Sequence, residues 1–194
     1  LTYTCQIYFD VSGYCDVGRA VAWMFGFDLP VNFDRPYRAE NILAFWRRWH
    51  ATLSRFFTRY VYIPLGGNRR GLPRTLANTL TVFLLSGIWH GTGWGFLIWG
   101  ALHGAVACGT RLLKRPLRLP KLLKRTMTFL FVNLAWIFFR ANSPGDAVTM
   151  LRKIFDKPWF KLHDRFIDAY LSHELWYPLK VLGVRDVRTG GTAC

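Results

Sequence analysis

The chain has 194 residues, 52% of them hydrophobic, 17% aromatic and only 19% charged, with a formal net charge of +15. Nine Trp, eight Tyr and sixteen Phe are too many for an ordinary soluble domain and suit the aromatic belts that flank membrane spans. The positive charge raises nucleic acid as a partner, but the basic residues bracket apolar runs and form no stripe on a polar domain, which excludes that class and matches the positive-inside pattern of a membrane protein.

Taken in order, residues 1–27 are apolar and aromatic, interrupted by Asp10, Asp16 and Arg19. Asp16 and Arg19 are three apart and share one face of the helix predicted here, where they can neutralise each other. Lipid does not tolerate such carboxylates, so that face is expected to meet protein or a water-filled cavity. The stretch starts at Leu1 in mid-pattern, so the chain is expected to lack an N-terminal part, and a signal peptide is neither identified nor excluded. Residues 29–37 carry Pro30, Asn32, Asp34 and Pro36 and read as a loop.

Asn41 is placed to cap one continuous helix over residues 42–60. Arg47, Arg48, Arg55 and Arg59 fall on one broad face, with Phe45, Trp49, Leu53, Phe56 and Tyr60 opposite, an amphipathic helix lying in the membrane interface with its arginines towards anionic headgroups. Pro64 stops it, and residues 66–71 form a basic turn that includes Arg69 and Arg70.

Residues 75–110 form the longest uncharged run, bounded by Arg74 and Arg111. At roughly 1.5 Å per residue this run is about 54 Å long, which suits two short passes better than one. The expected hairpin has arms over residues 76–88 and 94–111, with Gly87, Gly91, Gly93 and Gly95 clustered at the reversal and His90 within it. A first arm of about 20 Å is short for a full crossing, so a re-entrant hairpin with His90 at membrane depth is expected. Gly100 and Gly104 make a small-xxx-small pair suited to close helix packing. A basic linker follows over residues 112–125. Residues 126–139 form an uncharged run of ambiguous length, and Ser143 with Pro144 opens a helix towards residue 155. Residues 1–184 are expected to form part of one membrane domain and residues 185–194 a frayed tail.

The chemistry rests on histidines. No Asp or Glu occurs between Asn41 and Gly145, where fifteen Lys or Arg do, so this region cannot itself supply a Ser-His-Asp triad, a two-carboxylate glycosidase site or a carboxylate-held magnesium. Cys5, Cys15, Cys108 and Cys194 form no CxxC pair and are expected to be free thiols. The histidines lack metal-type spacing, so no metal is expected. What remains is histidine general-base chemistry on a hydroxyl or thioester, shielded from water. His163 and His173 sit in the polar C-terminal region and are given no role. His103 is expected to be a packed histidine bonded to a neighbouring helix. His50 is either an interfacial residue or a functional one. His90 is either a buried turn-closing residue or, as an ionisable group at membrane depth, a functional one; the glycines beside it favour function because they leave room for a substrate to approach the ring.

Tyr8-Phe9-Asp10-Val11-Ser12-Gly13-Tyr14-Cys15-Asp16, Phe45-Trp46-Arg47-Arg48-Trp49-His50, Tyr62-Ile63-Pro64-Leu65-Gly66-Gly67-Asn68-Arg69 and Gly87-Ile88-Trp89-His90-Gly91 closely resemble the membrane-bound O-acyltransferase family, in its bacterial alginate O-acetyltransferase branch. The resemblance covers about residues 1–155. It implies an all-α, multi-pass membrane helical bundle shaped as a funnel, in the bacterial inner membrane. It also implies a catalytic histidine at His90 and the second family histidine at His50. By the same resemblance an acetyl group, with acetyl-CoA as donor and no bound cofactor, passes to hydroxyls of an exported polysaccharide, alginate first, through a periplasmic hydrolase-like acetyltransferase partner. Arg47, Arg48, Arg69 and Arg70 would attract the anionic donor. D-alanyl transfer to a cell-wall polymer and a non-catalytic scaffold in polysaccharide export are the alternatives. Val11 and Cys15 stand where the family usually has Phe and Ser, and the end after residue 181 does not continue into the expected final membrane helix, so the chain is expected to be incomplete at both ends.

Overall fold

A computed structural model describes residues 1–113 and 118–156; the tail over residues 185–194, His163 and His173 lie outside the described residues. Every described element is helical: α1 (Thr2–Met24), α2 (Ile42–Arg48), α3 (Ala51–Phe57), α4 (Gly71–His90), α5 (Trp94–Leu112), α6 (Lys121–Arg140) and α7 (Pro144–Asp156), with a 3-10 turn at Pro36–Arg38 and a π turn at Thr58–Tyr62.

Asp16 and Arg19 lie 4.0 Å apart on α1, as their spacing predicts. Asp10 and Asp16 themselves stay exposed, so the described residues do not supply the cover expected for that face. The inner face docks instead through Tyr3, Thr4, Ile7 and Tyr8. Thr4 donates its hydroxyl to Asn133 Oδ1 on α6, and the Tyr37 hydroxyl donates to the Thr4 carbonyl at 3.0 Å.

The continuous helix expected over residues 42–60 is not formed. Asn41 does cap α2, its Oδ1 accepting the Ala44 N–H at 2.8 Å, but the helix breaks at Trp49 and His50. The preceding loop supplies the reason. Asp34 N–H donates to the Arg48 carbonyl at 3.0 Å and Ala51 N–H to the Asn32 carbonyl at 3.0 Å. Asn32 Oδ1 also accepts from Thr52 N at 3.0 Å and from the Thr52 hydroxyl at 2.9 Å. Backbone groups stranded by a broken helix need partners, and this loop provides them. The two-faced amphipathic pattern fails with the break: Phe45 and Trp49 are buried, while Phe56 and Tyr60 are exposed.

The hairpin is present, and its first arm is longer than expected. Residues 71–75 join α4 because Pro73 falls in the first turn, where its missing N–H costs nothing. At 20 residues α4 measures about 30 Å, and His90 is its last residue, at the end away from Arg70 and Arg74. Gly87 faces the Phe96 carbonyl, Gly100 the Phe83 carbonyl and Gly104 the Leu80 side chain, which makes α4 and α5 antiparallel. Gly95 meets the Phe138 carbonyl at the far end of α6, so α5 and α6 are antiparallel too. The Gly100–Gly104 pair thus packs as its spacing predicts. The glycines near His90 do something different from the role expected of them. A Cβ on Gly91 would stand 2.5 Å from the Phe96 ring and one on Gly87 2.5 Å from the Phe96 carbonyl. They permit close helix contact and do not hold space open around the imidazole.

The basic residues at 121–125 belong to α6, which resolves the ambiguous run at 126–139 into a 20-residue helix of mean hydropathy 1.4, long and apolar enough to cross a membrane. Ser143 caps α7, its hydroxyl accepting from Asp146 N–H at 3.1 Å and donating to the Asp146 carboxylate at 2.9 Å. The core between these helices is aromatic. Phe45 and Trp49 stack at 5.6 Å, and Trp99 and Trp136 at 5.9 Å. Each stacked pair is worth roughly 0.5–1.5 kcal/mol.

Candidate active site

His90 ends α4 in an aromatic surround. Its ring meets Trp89 at 4.8 Å, Phe139 at 5.0 Å and Trp99 at 5.3 Å, all edge-on. Trp99 is fully buried and Trp89 exposed; the imidazole between them is half-buried. Among the described residues no group hydrogen-bonds its nitrogens, and neither nitrogen is sealed from solvent. The ring is therefore braced on three sides and open on the remaining one, as a general base must be to meet a substrate proton.

His50 comes from a different kind of position. Its backbone is left-handed, φ 45° and ψ 54°, a conformation that costs a non-glycine residue roughly 1–2 kcal/mol and that clusters at functional sites. The break in the helix aims this side chain. Phe33, on the loop that stabilises the break, lies 6.0 Å from the imidazole, and Nδ1 is buried without a partner. Burial holds the imidazole below its ordinary pKa, so His50 is neutral at neutral pH. His50 and His90 are forty residues apart in sequence, and packed rings join them: Phe33 beside His50 meets Trp49, Trp49 meets Trp136 at 5.3 Å, Trp136 meets Phe139 at 5.2 Å and Phe139 meets His90.

Three substitutions separate role from packing here. Glycine tolerates the left-handed backbone, so His50→Gly is expected to keep or raise thermal stability, by up to about 1 kcal/mol, while activity falls; His50→Ala lowers both. Asn32→Ala removes the acceptor for both Thr52 bonds and is expected to destabilise by about 1–3 kcal/mol, with loss of activity because the His50 turn relaxes. Paired thermal melts and activity assays of these three variants read the difference.

His103 is the packed histidine its position suggested. It is fully buried, its Nδ1 accepts the Trp46 indole N–H at 3.2 Å, and Trp99 and Phe131 close over it at 5.0 and 5.2 Å. Trp46, from the same motif as His50, thereby ties α2 to α5.

A cavity of about 330 Å³ lies between α2, α3, the π turn, α4 and the end of α5, and neither His50 nor His90 is among its lining residues. Ser54 and Ser86 line it; each follows or precedes a histidine by four residues, Ser54 one turn beyond His50 and Ser86 one turn before His90. Of the four arginines singled out in the sequence, Arg47 lines this cavity. Arg48 is half-buried in the helix break, and Arg69 and Arg70 are exposed on the turn before α4. Arg111 and Tyr62 also line the cavity, with the guanidinium 5.6 Å above the phenol ring. Neither was legible as a site residue: Arg111 stood out only as the border of the apolar run, and Tyr62 only as a motif letter.

The MBOAT, membrane-bound O-acyltransferase family matches residues 1–143. The chain is 48% identical over 157 residues to a peptidoglycan O-acetyltransferase of Helicobacter pylori, covering 78% of this chain and 30% of that protein. It is 42% identical over 163 residues to a probable alginate O-acetylase of Azotobacter vinelandii, covering 80% and 32% respectively. A teichoic acid D-alanyltransferase of Bacillus subtilis is 30% identical over 111 residues, 54% of this chain and 28% of that protein. The chain thus spans about a third of the length of these relatives. With a family match over residues 1–143, nearly three-quarters of its length, the chain belongs to the membrane-bound O-acyltransferase family.

Proposed function

We propose that the protein is a bacterial inner-membrane, multi-pass O-acyltransferase that moves an acetyl group from a cytoplasmic thioester, acetyl-CoA, to a hydroxyl of an exported polysaccharide. The observation that carries this reading is that one aromatic core joins His50 and His90 in a stretch that holds no Asp or Glu. His90 takes the proton of the accepting hydroxyl as its oxygen attacks the thioester carbonyl. The carbon–sulfur bond then breaks, and the imidazolium returns the proton to the departing thiolate, so the imidazole is neutral at the start and at the end. His50 orients the same proton or shares it. The basic ends of α4, α5 and α6 face the cytoplasm, from which the donor enters a funnel; the acceptor side lies beyond Gly91–Gly93.

Alginate and peptidoglycan are the two acceptors to test first. Identity is 48% to the peptidoglycan relative and 42% to the alginate one, which gives alginate no advantage. Onward transfer in the periplasm falls to a hydrolase-like acetyltransferase partner. The test is isotope-labelled acetyl transfer from acetyl-CoA in membranes containing the protein, with each polymer as acceptor. Label that reaches a polymer only when His90 is present supports the reading; label that reaches it equally without His90 leaves a scaffold role.

A further inference from the structure

A second cavity, of about 540 Å³, lies between the start of α2, the end of α5 and the start of α6, and it shares no lining residue with the first. Its volume falls in the range of small-ligand sites, about 300–1,000 Å³. The wall changes character along the helices. On α6 the lining residues Lys124, Met127, Thr128 and Phe131 follow one face at helical spacing, so that face passes from charged to apolar over about 10 Å of rise. Val106 lines the cavity from the antiparallel α5. Phe131 packs at 5.2 Å on the buried His103 ring, which closes the inner end. Around the cavity Leu113, Met127 and Leu130 are exposed, so its mouth opens on an apolar surface.

The outer end carries an excess of positive charge. Glu40 is the acid among the lining residues; Lys124 Nζ lies 2.8 Å from one of its carboxylate oxygens and Arg125 Nη2 lies 3.9 Å from the other. Lys121 stands on the same first turns of α6. That helix has no acidic residue in its first turn and no side-chain cap, although basic residues at a helix N-terminus oppose the macrodipole. One carboxylate therefore faces three cations, and a further anion relieves both the excess charge and the helix end. A bare inorganic anion would leave the apolar walls uncovered, and a neutral hydrocarbon would leave the charge unmatched. An amphiphile with an anionic head satisfies both, and basic pockets between membrane helices at the cytoplasmic side suit anionic headgroups.

We propose that the groove between α2, α5 and α6 seats one anionic phospholipid, its phosphate on Lys124 and Arg125 and an acyl chain along Val106, Met127 and Phe131. The lipid clamps α2 against α5 and α6. The seat goes beyond the acyltransferase reading and uses none of the residues assigned to catalysis, so either can fail without the other.

Native mass spectrometry of the detergent-purified protein tests the seat, with dioleoyl phosphatidylglycerol, dioleoyl phosphatidylcholine and the chain-free headgroup glycerophosphoglycerol as probes. Wild type is expected to prefer phosphatidylglycerol to phosphatidylcholine by about tenfold, and to bind glycerophosphoglycerol at least about tenfold more weakly than the whole lipid. Lys124→Gln is expected to cut the preference for phosphatidylglycerol about fivefold, and Glu40→Gln to raise it about fivefold, because the first removes a cation and the second frees two. Both variants lose the same ion pair, so a bridge with only a structural role would move both in one direction. Equal wild-type affinity for the two lipids overturns the seat, as do folded Lys124→Gln and Glu40→Gln proteins that shift the same way or not at all. Glycerophosphoglycerol binding as tightly as the lipid makes this a free-phosphate site and overturns the acyl groove. A dimer that forms in place of the lipid complex and is lost in Lys124→Gln makes the groove an interface between copies and overturns the seat as well.

Discussion

His90→Ala is expected to reduce acetyl transfer by a factor of about 10²–10⁴ while leaving the amount of protein in the membrane unchanged. That range is the usual contribution of a general base, about 3–5 kcal/mol of transition-state stabilisation. The loss should sit at the upper end because nothing nearby can take over. No carboxylate exists between Asn41 and Gly145, and His103 is sealed in the core with its Nδ1 already bonded to Trp46. Among the described residues His50 is the remaining imidazole, so His50→Gly combined with His90→Ala should add little beyond His90→Ala alone if the two act as one unit. Folding should survive, since the ring is half-buried and bears no hydrogen bond among the described residues. Labelled acetyl incorporation, normalised to immunodetected protein, measures the effect. A variant within threefold of wild type would remove His90 from the mechanism.

Gly100→Ala is expected to destabilise the protein by roughly 1–3 kcal/mol and to lower activity as well, whereas Gly109→Ala on the same helix should stabilise it by about 0.5–1 kcal/mol. Both substitutions improve helix propensity equally, so the difference isolates packing. A Cβ on Gly100 would enter hard contact with the Phe83 carbonyl and lie 3.5 Å from Gly87 Cα, while one on Gly109 meets nothing within 4 Å. A backbone carbonyl inside a helix cannot swing aside, so α4 and α5 must part. Trp99, next to Gly100, bridges His90 and His103, and the parting of the helices would move the wall against which the His90 ring rests. Thermal unfolding in detergent, run with the activity assay, reads both effects. If Gly100→Ala and Gly109→Ala melt alike, the close crossing of α4 and α5 is not what holds the hairpin.

Much of this protein is legible residue by residue because membrane chemistry acts on composition. An uncharged run bounded by Arg74 and Arg111 with glycines in its middle has few folds open to it besides a helical hairpin, since unpaired backbone groups are not tolerated in lipid. Caps read locally for the same reason: Asn41 and Ser143 need only the next three residues to act, and both do. The motif letters around His50 and His90 marked the two histidines.

What sequence could not show is set by contacts between distant segments. The periodicity of residues 42–60 favoured one helix, and it breaks because Asn32 and Asp34, from an unrelated loop, offer hydrogen bonds that a continuous helix would not need. The glycines near His90 looked like open space, and the structure fills that space with Phe96 and with neighbouring backbone. Arg111 looked like a border charge until the fold stood Tyr62 beneath it in a cavity, with no carboxylate paired to it among the described residues. Composition and local hydrogen bonding determine which segments are helical and where they stop, because those energies depend on near neighbours. Which imidazole meets which, and which charge is left without a partner, is decided only when helices pack, because burial and pairing belong to the assembled fold.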